Sequence, residues 1–317
     1  MGMSFFFIGS AEVKSEVSKS LAKAGYKAAP DAASADAVLV YCETQGELED
    51  VFLDTDGLIQ TAKRGAYLIT LSATTPNFAR ELNAVALVSD LHSVEAPLFV
   101  RDVTLPAAFA DPANLSCFVA GEEKDIEKAT PLLAAIASAV EVTGPSGSAQ
   151  TARAALTIQR ASQFVACMET EALYKVSSGS STQVVDFALA QGLVPETTRR
   201  LVEAVRAERF EGSYTVQVCM AELSAALMAA DDNDLILPGA EACMHLLELL
   251  ALIGGATLMP AALSLVYGEE ALCAKYGLDW SRAEQTYPEG EYDDYADDDD
   301  FPPHKEFTGG LGGYSSN

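Results

Sequence analysis

The chain has 317 residues, 49% of them apolar, enough for a large core and for two domains. Its 20 Lys+Arg against 46 Asp+Glu give a formal charge of −26, which argues against a nucleic-acid partner and against docking on an anionic membrane. Six cysteines without a Cys-x-x-Cys pair sit in apolar segments and read as reduced core thiols of a cytoplasmic protein. Three histidines (His92, His245, His304) make a His-based metal site or a Ser-His-Asp triad a poor expectation, so no metal is assigned.

Ser4–Ile8 reads as a strand. Ala11–Ala24 follows as a helix, with Val13, Val17, Leu21 and Ala24 on one stripe. Ala37–Tyr41 is a continuous apolar run of the kind buried on both faces of a sheet. Gly46–Ala62 reads as one helix, Ala66–Leu71 as a strand and Pro76–Asn83 as a helix. Leu87–Val88, Val94–Pro97 and Leu115–Val119 read as strands, Lys124–Ala137 as a helix and Val140–Val142 as a last strand. This alternation predicts an α/β, Rossmann-like domain with a parallel, helix-covered sheet over residues 1–148.

After the turn Gly144–Gly147, strand signals stop. Ala149–Val176 reads as one long helix. Further helices are expected at Ser181–Gln191, Glu196–Arg206, Val216–Ala230, Gly239–Ile253 and Pro260–Val266, with Ser177–Ser181 as a loop. The expectation is an all-α domain over 149–280, followed by an acidic tail over 281–317 that is disordered or draped on the surface. The uncharged run Leu249–Tyr267 is long enough to span a bilayer, but Gly254, Gly255 and Pro260 interrupt it and acids flank it. Two core helices are the expected reading.

The local signal for chemistry is the strand–Gly–helix passage Phe7-Ile8-Gly9-Ser10-Ala11-Glu12-Val13-Lys14. A dinucleotide fingerprint reads Gly-x-Gly-x-x-Gly, for the tight turn, the approach to pyrophosphate and the helix packing. Gly9 fills the first place, whereas Ala11 and Lys14 hold the other two. Glu12 adds negative charge where a helix N-terminus would attract phosphate.

In order and spacing, the chain resembles the β-hydroxyacid dehydrogenase family, which includes 3-hydroxyisobutyrate dehydrogenase and 6-phosphogluconate dehydrogenase, over roughly residues 4–270. FFFIGSAEVKSEVSKSLAKAGY resembles the family's opening strand and helix, and ADAVLVYCETQGELEDVF its strand and loop over the cofactor. GAYLITLSATTP is similar to its Asp-x-Ser-Ser-x-x-Pro segment, with Thr70, Ser72, Ala73 and Pro76 in those places. VEAPLFVR resembles its Asp-Ala-Pro-Val-Ser-Gly-Gly substrate motif, and GPSGSAQTARAAL its Gly-x-Gly-x-x-x-Lys-x-x-Asn motif. The resemblance implies an NAD(P)-dependent oxidoreductase acting on small hydroxy acids. It places Gly9, Ser10, Ala11 and Ser72 at the cofactor, Ala96, Pro97 and Phe99 at the substrate, and Arg153 at the catalytic lysine position. It also implies a homodimer through the helical domain.

The departures point the other way. Phe99 stands where the family has a serine, Val100 and Arg101 replace glycines, and Leu156 replaces the asparagine. Arg153 cannot exchange a proton near neutral pH. It is left either to clamp a small anion in the interdomain cleft or to form a structural ion pair, while Arg160 and Gln163 share its helix face. Between Tyr26 and Ala35 there is no room for the strand and helix that normally carry the ribose-reading residue. Two readings stand: a diverged oxidoreductase, weak or inactive with NAD(P), or a non-catalytic dimeric scaffold or small-ligand sensor.

Overall fold

The computed structural model describes residues 3–177, 187, 188, 190–268 and 270–286. Most of the expected helix Ser181–Gln191, the loop before it and the tail beyond residue 286 lie outside the described residues.

Strand β1 (Ser4–Gly9) alternates buried and half-buried residues, and helix α1 (Ala11–Lys23) covers it with Val13, Val17 and Leu21. The next strand, β2, is only Lys27–Ala28. Strand β3 (Ala37–Tyr41) is buried at all five positions, as its unbroken apolar run requires for a central strand covered on both faces. Helices α2 (Gln45–Leu53) and α3 (Leu58–Thr61), strand β4 (Tyr67–Thr70), helix α4 (Pro76–Val88) and strands β5 (His92–Glu95) and β6 (Leu98–Val100) follow. Then come β7 (Leu115–Gly121), α5 (Glu123–Leu133) and β8 (Ala139–Gly144). The sheet runs in the order β2-β1-β3-β4-β5-β7-β6, with β8 paired to β7.

Five features differ from the sequence expectation. The sheet is mixed: β7 is antiparallel to both β5 and β6, which pair with successive stretches of it, and parallel to β8. Leu87–Val88 is the last turn of α4, with both side chains exposed, so two adjacent apolar residues there marked no strand. Val94–Pro97 is split: β5 ends at Glu95, and β6 starts after Pro97, which has no N–H for a ladder. The single helix expected over Gly46–Ala62 is two, because the chain turns at Asp54–Gly57. Finally, the tail begins later than its composition implies, since Ser281–Thr286 is helical and buries Ala283.

The remaining elements are helical: α6 (Ser148–Ser177), α7 (Glu196–Arg206), α8 (Val216–Asp231), α9 (Pro238–Leu250), α10 (Glu270–Lys275) and α11 (Ser281–Thr286). Within the apolar run Leu249–Tyr267, α9 gives way to a π-turn at Ala251–Gly255, where Gly254 adopts φ +115°, and then to a 3-10 turn at Pro260–Leu265. No helix among the described residues is long and apolar enough to cross a membrane. One apolar cluster joins the α1/α5 face of the sheet to α6–α9, and a second fills the α2/α4 face. The long helix α6 is thereby packed against both halves of the chain.

Asp36 locks the entry of β3 to β1. Its carboxylate accepts the Ser4 N–H (3.0 Å) and Ser4 hydroxyl (2.8 Å) and pairs with Lys63 (2.6 Å). The Lys63 bond, then the Ser4 bonds, hold its pKa down at about 2. A depressed carboxylate contributes stability above its unfolded pKa, near 3.9, and loses it as pH falls toward 2. Asp36→Asn is expected to flatten the acid limb of a urea-midpoint-versus-pH curve in that window. The carboxyl is partly exposed, so the change is small.

Candidate functional site at the domain junction

The start of α6 is fixed by a carboxylate that sequence reasoning missed. Glu95, at the end of β5, accepts the backbone N–H groups of Gly147 and Gln150, two donors that a helix N-terminus leaves unpaired. Burial pushes the Glu95 carboxyl above its ordinary pKa, and these two bonds oppose the shift. Gln150 in turn accepts the Thr74 N–H (3.0 Å) and donates to the Ser72 carbonyl (3.1 Å), tying the loop after β4 to the same helix.

One turn into α6, Arg153 is 1% exposed. Its Nε donates to the Leu98 carbonyl (3.0 Å), Nη1 to the Thr157 hydroxyl, and Nη2 lies against Glu222 of α8 in an ion pair. Burial alone would lower the guanidinium pKa, but Glu222 reverses the shift and keeps it above its ordinary value. Of the two roles open to Arg153, the structure shows the ion pair. Two turns further, Arg160 donates to the Tyr214 hydroxyl (3.2 Å) and to the Val100 carbonyl, and Tyr214 donates to Glu222. Phe99 receives both guanidiniums, Arg160 at 3.8 Å and Arg153 at 4.8 Å from its ring centroid. Phe99, which the resemblance sets at a substrate serine, is an aromatic platform for two arginines.

The other candidate residues are dispersed. Ala96 is fully buried and spends its N–H on the Thr70 carbonyl (2.8 Å), and Pro97 is buried beside it. The Ser72 hydroxyl accepts the Cys42 N–H (2.7 Å) inside the fold. Gly9 adopts φ +113° and lies so close to β3 that a Cβ would sit 1.9 Å from the Tyr41 oxygen. The Ser10 N–H donates to that same carbonyl (2.9 Å), while the Ser10 side chain leaves α1 uncapped. For a dinucleotide the fit is incomplete. The α1 N-terminus is open to a phosphate, but Glu12 sits in its first turn, and the adenosine side offers only the two exposed residues of β2.

Where the C-terminal ends of β3 and β4 face α8 and α9, a cavity of about 340 Å³ opens. Its lining includes Glu43, Glu248, Met220 and Met244, and no lysine or arginine. Burial, then Glu47, raises the Glu43 pKa. A smaller cavity of about 180 Å³ lies between the loop after β6 and helices α6 and α7. Among the described residues no cluster of His, Cys, Asp and Glu has the arrangement of a metal site.

Glu222 is the functional neighbour that the sequence hid least well, because it is the one acid inside the otherwise uncharged stretch Val216–Ala230. Its pairing with an arginine on another helix carries no sequence signature. Glu95 stands at the Asp of the Asp-Ala-Pro-Val-Ser-Gly-Gly motif, a signal that was passed over, whereas Tyr214 had none.

Residues 6–144 match the family described as the NAD binding domain of 6-phosphogluconate dehydrogenase. An uncharacterized oxidoreductase of Bacillus subtilis, YkwC, is 24% identical over 221 residues, covering 69% of this chain and 75% of that protein. The 2-hydroxy-3-oxopropionate reductase of Escherichia coli is 25% identical over 244 residues, 73% of this chain and 77% of the reductase. The Mycobacterium tuberculosis 3-hydroxyisobutyrate dehydrogenase solved with L-serine superposes with a TM-score of 0.70 at 18% identity, over 85% of this chain and 100% of that one. Residues 6–144 thus form a Rossmann-like domain of the 6-phosphogluconate dehydrogenase NAD-binding type, and over the 85% of the chain that superposes it shares the two-domain fold of the 3-hydroxyisobutyrate dehydrogenases.

Proposed function

We propose that this β-hydroxyacid dehydrogenase-like chain no longer performs hydride transfer and works as a non-catalytic, dimeric binding protein. One observation carries the reading: the guanidinium that the resemblance sets at the catalytic lysine position is buried, hydrogen-bonded to Leu98 and Thr157 and ion-paired with Glu222. A group so held, and unable to deprotonate, neither meets a substrate nor passes it a proton. The incomplete dinucleotide cradle agrees. NAD(P)H is expected to bind at about millimolar strength or weaker, equivalent to about −4 kcal/mol. The competing reading, a working NAD(P)-dependent oxidoreductase on small hydroxy acids, draws on the NAD-binding domain match and on the names of the relatives. Micromolar NADPH binding by calorimetry, with turnover of short hydroxy or aldehyde acids, would establish it.

Arg153→Lys tests the same reading from the other side. It restores an ammonium that burial could tune, yet Phe99 and Leu156 still replace the other members of a set that acts as a unit. No NADPH-dependent turnover is expected from this variant across a panel of short hydroxy acids, and measurable turnover would refute the proposal.

Assembly is proposed through the helical domain, residues 150–270. Large apolar side chains stand exposed there, among them Leu173 (64%), Leu193 (68%) and Ile236 (78%), in a chain whose charge otherwise favours solubility. Light scattering at micromolar concentration should give the mass of a dimer; a monomer would count against it.

A further inference from the structure

The cavity of about 340 Å³ is built on one face of α8. Gln217, Met220, Ala221, Ser224, Ala225 and Met228 line it at helical spacings of three and four, a stripe about 16 Å long at 1.5 Å per residue. Val216, Cys219, Leu223 and Ala226 bury the other side of the same helix. The stripe itself is left partly open: Gln217, Ser224 and Met228 (42%) are exposed and Met220 is half-buried. Met244 of α9 faces it across the cavity. Unbranched thioethers on both walls adapt to an apolar chain, and the alanines between them leave it room.

The charge on the walls has one sign. Glu43 comes from the loop after β3 and Glu248 from the last turn of α9, and no lysine or arginine stands among the lining residues. Glu248 contacts His245 one turn earlier (3.2 Å). The Glu43 carboxylate makes no ion pair among the described residues, and its neighbour is another acid: the Glu47 carboxylate accepts the Glu43 N–H (3.2 Å). Burial, then Glu47, holds the Glu43 pKa above its ordinary value, as befits a carboxylate with no cation beside it. The C-terminal end of α9 adds its negative pole, and the turn that follows lines the cavity with Ala251 and Ala256. The positive pole on the wall, the start of α2, is already met by the Thr44 hydroxyl, which accepts the Glu47 N–H, and by Glu47 in its first turn. Glu43 and Ala221 also share a small recess, which sets the carboxylate at the N-terminal half of the stripe. We propose that this cavity binds an alkylammonium ion, its ammonium on Glu43 and its carbon chain along the stripe from Ala221 to Met228. A carboxylate or a phosphate would meet these acids without a partner, so the ligand differs in charge from a hydroxy acid and from a dinucleotide. The proposal rests on the reading of the chain as a binding protein and names the class of its ligand.

The test is calorimetric titration of the full chain, without cofactor, using hexylammonium, hexanol, hexanoate and methylammonium. Hexylammonium should bind at least tenfold more tightly than the other three. Glu43→Gln should weaken it at least tenfold while leaving the thermal midpoint unchanged. Met228→Lys, at an exposed position, should do the same by placing a cation on the stripe, so the outcome does not depend on one variant folding. No hexylammonium binding up to about 30 mM, hexanoate or methylammonium bound as tightly, or an affinity unmoved in both variants would overturn the site. That failure would leave the reading of Arg153 in place, and NADPH turnover, which would refute that reading, leaves this titration standing.

Discussion

Glu222→Ala is expected to destabilise the fold by about 3–5 kcal/mol, because it leaves a buried Arg153 and its neighbour Arg160 without a countercharge. Tyr214 would lose the acceptor of its hydroxyl in the same step. The measurement is urea unfolding followed by circular dichroism, with the midpoint falling at constant slope. A second variant separates the value of the pair from the cost of breaking it. Replacing both partners, Arg153→Met with Glu222→Leu, should cost less than Glu222→Ala alone, since Arg153 is then no longer a buried charge without a partner, while Arg160 and Tyr214 lose Glu222 in both variants. A double variant as unstable as the single one would show that the cost comes from the lost Arg153 bond to the Leu98 carbonyl of β6 and from Arg160 and Tyr214, which Glu222 also serves, rather than from an unpaired Arg153.

Gly9→Ala is expected to cost about 3 kcal/mol or to prevent folding. The new methyl would have to occupy space 1.9 Å from the Tyr41 carbonyl oxygen at a backbone φ of +113°. Relief requires β1 to move away from β3 at the point where Ser10 also bonds Tyr41. Gly25→Ala is the control: φ is +91° there, but nothing lies within 4 Å, so only the conformational penalty of about 1 kcal/mol remains. Equal losses in the two variants would mean that the close approach to Tyr41 contributes nothing. The glycine at the first place of the fingerprint is thus called for by the protein's own packing against Tyr41, whether or not a ligand binds there.

Much of the architecture was legible in the sequence because it depends on local periodicity. The apolar run Ala37–Tyr41 could only be a central strand, the stripe Val13–Val17–Leu21 could only face a sheet, and Glu196–Arg206 is helical over the residues its spacing predicts. Local pattern misled at Leu87–Val88, where two apolar residues end an exposed helical turn, and at β7, whose direction no sequence period encodes. The α/β-then-α order, the presence of Arg153 and Leu156 where the resemblance expects lysine and asparagine, and the shortened segment after Tyr26 can all be read without the structure, because residue type and chain length are enough for each. The role of Arg153 depends instead on how distant parts of the chain pack around it. Its partners Leu98 and Glu222 lie far from it along the chain, and whether a guanidinium faces solvent, substrate or a buried carboxylate depends on how the β6 edge, α6 and α8 close around it.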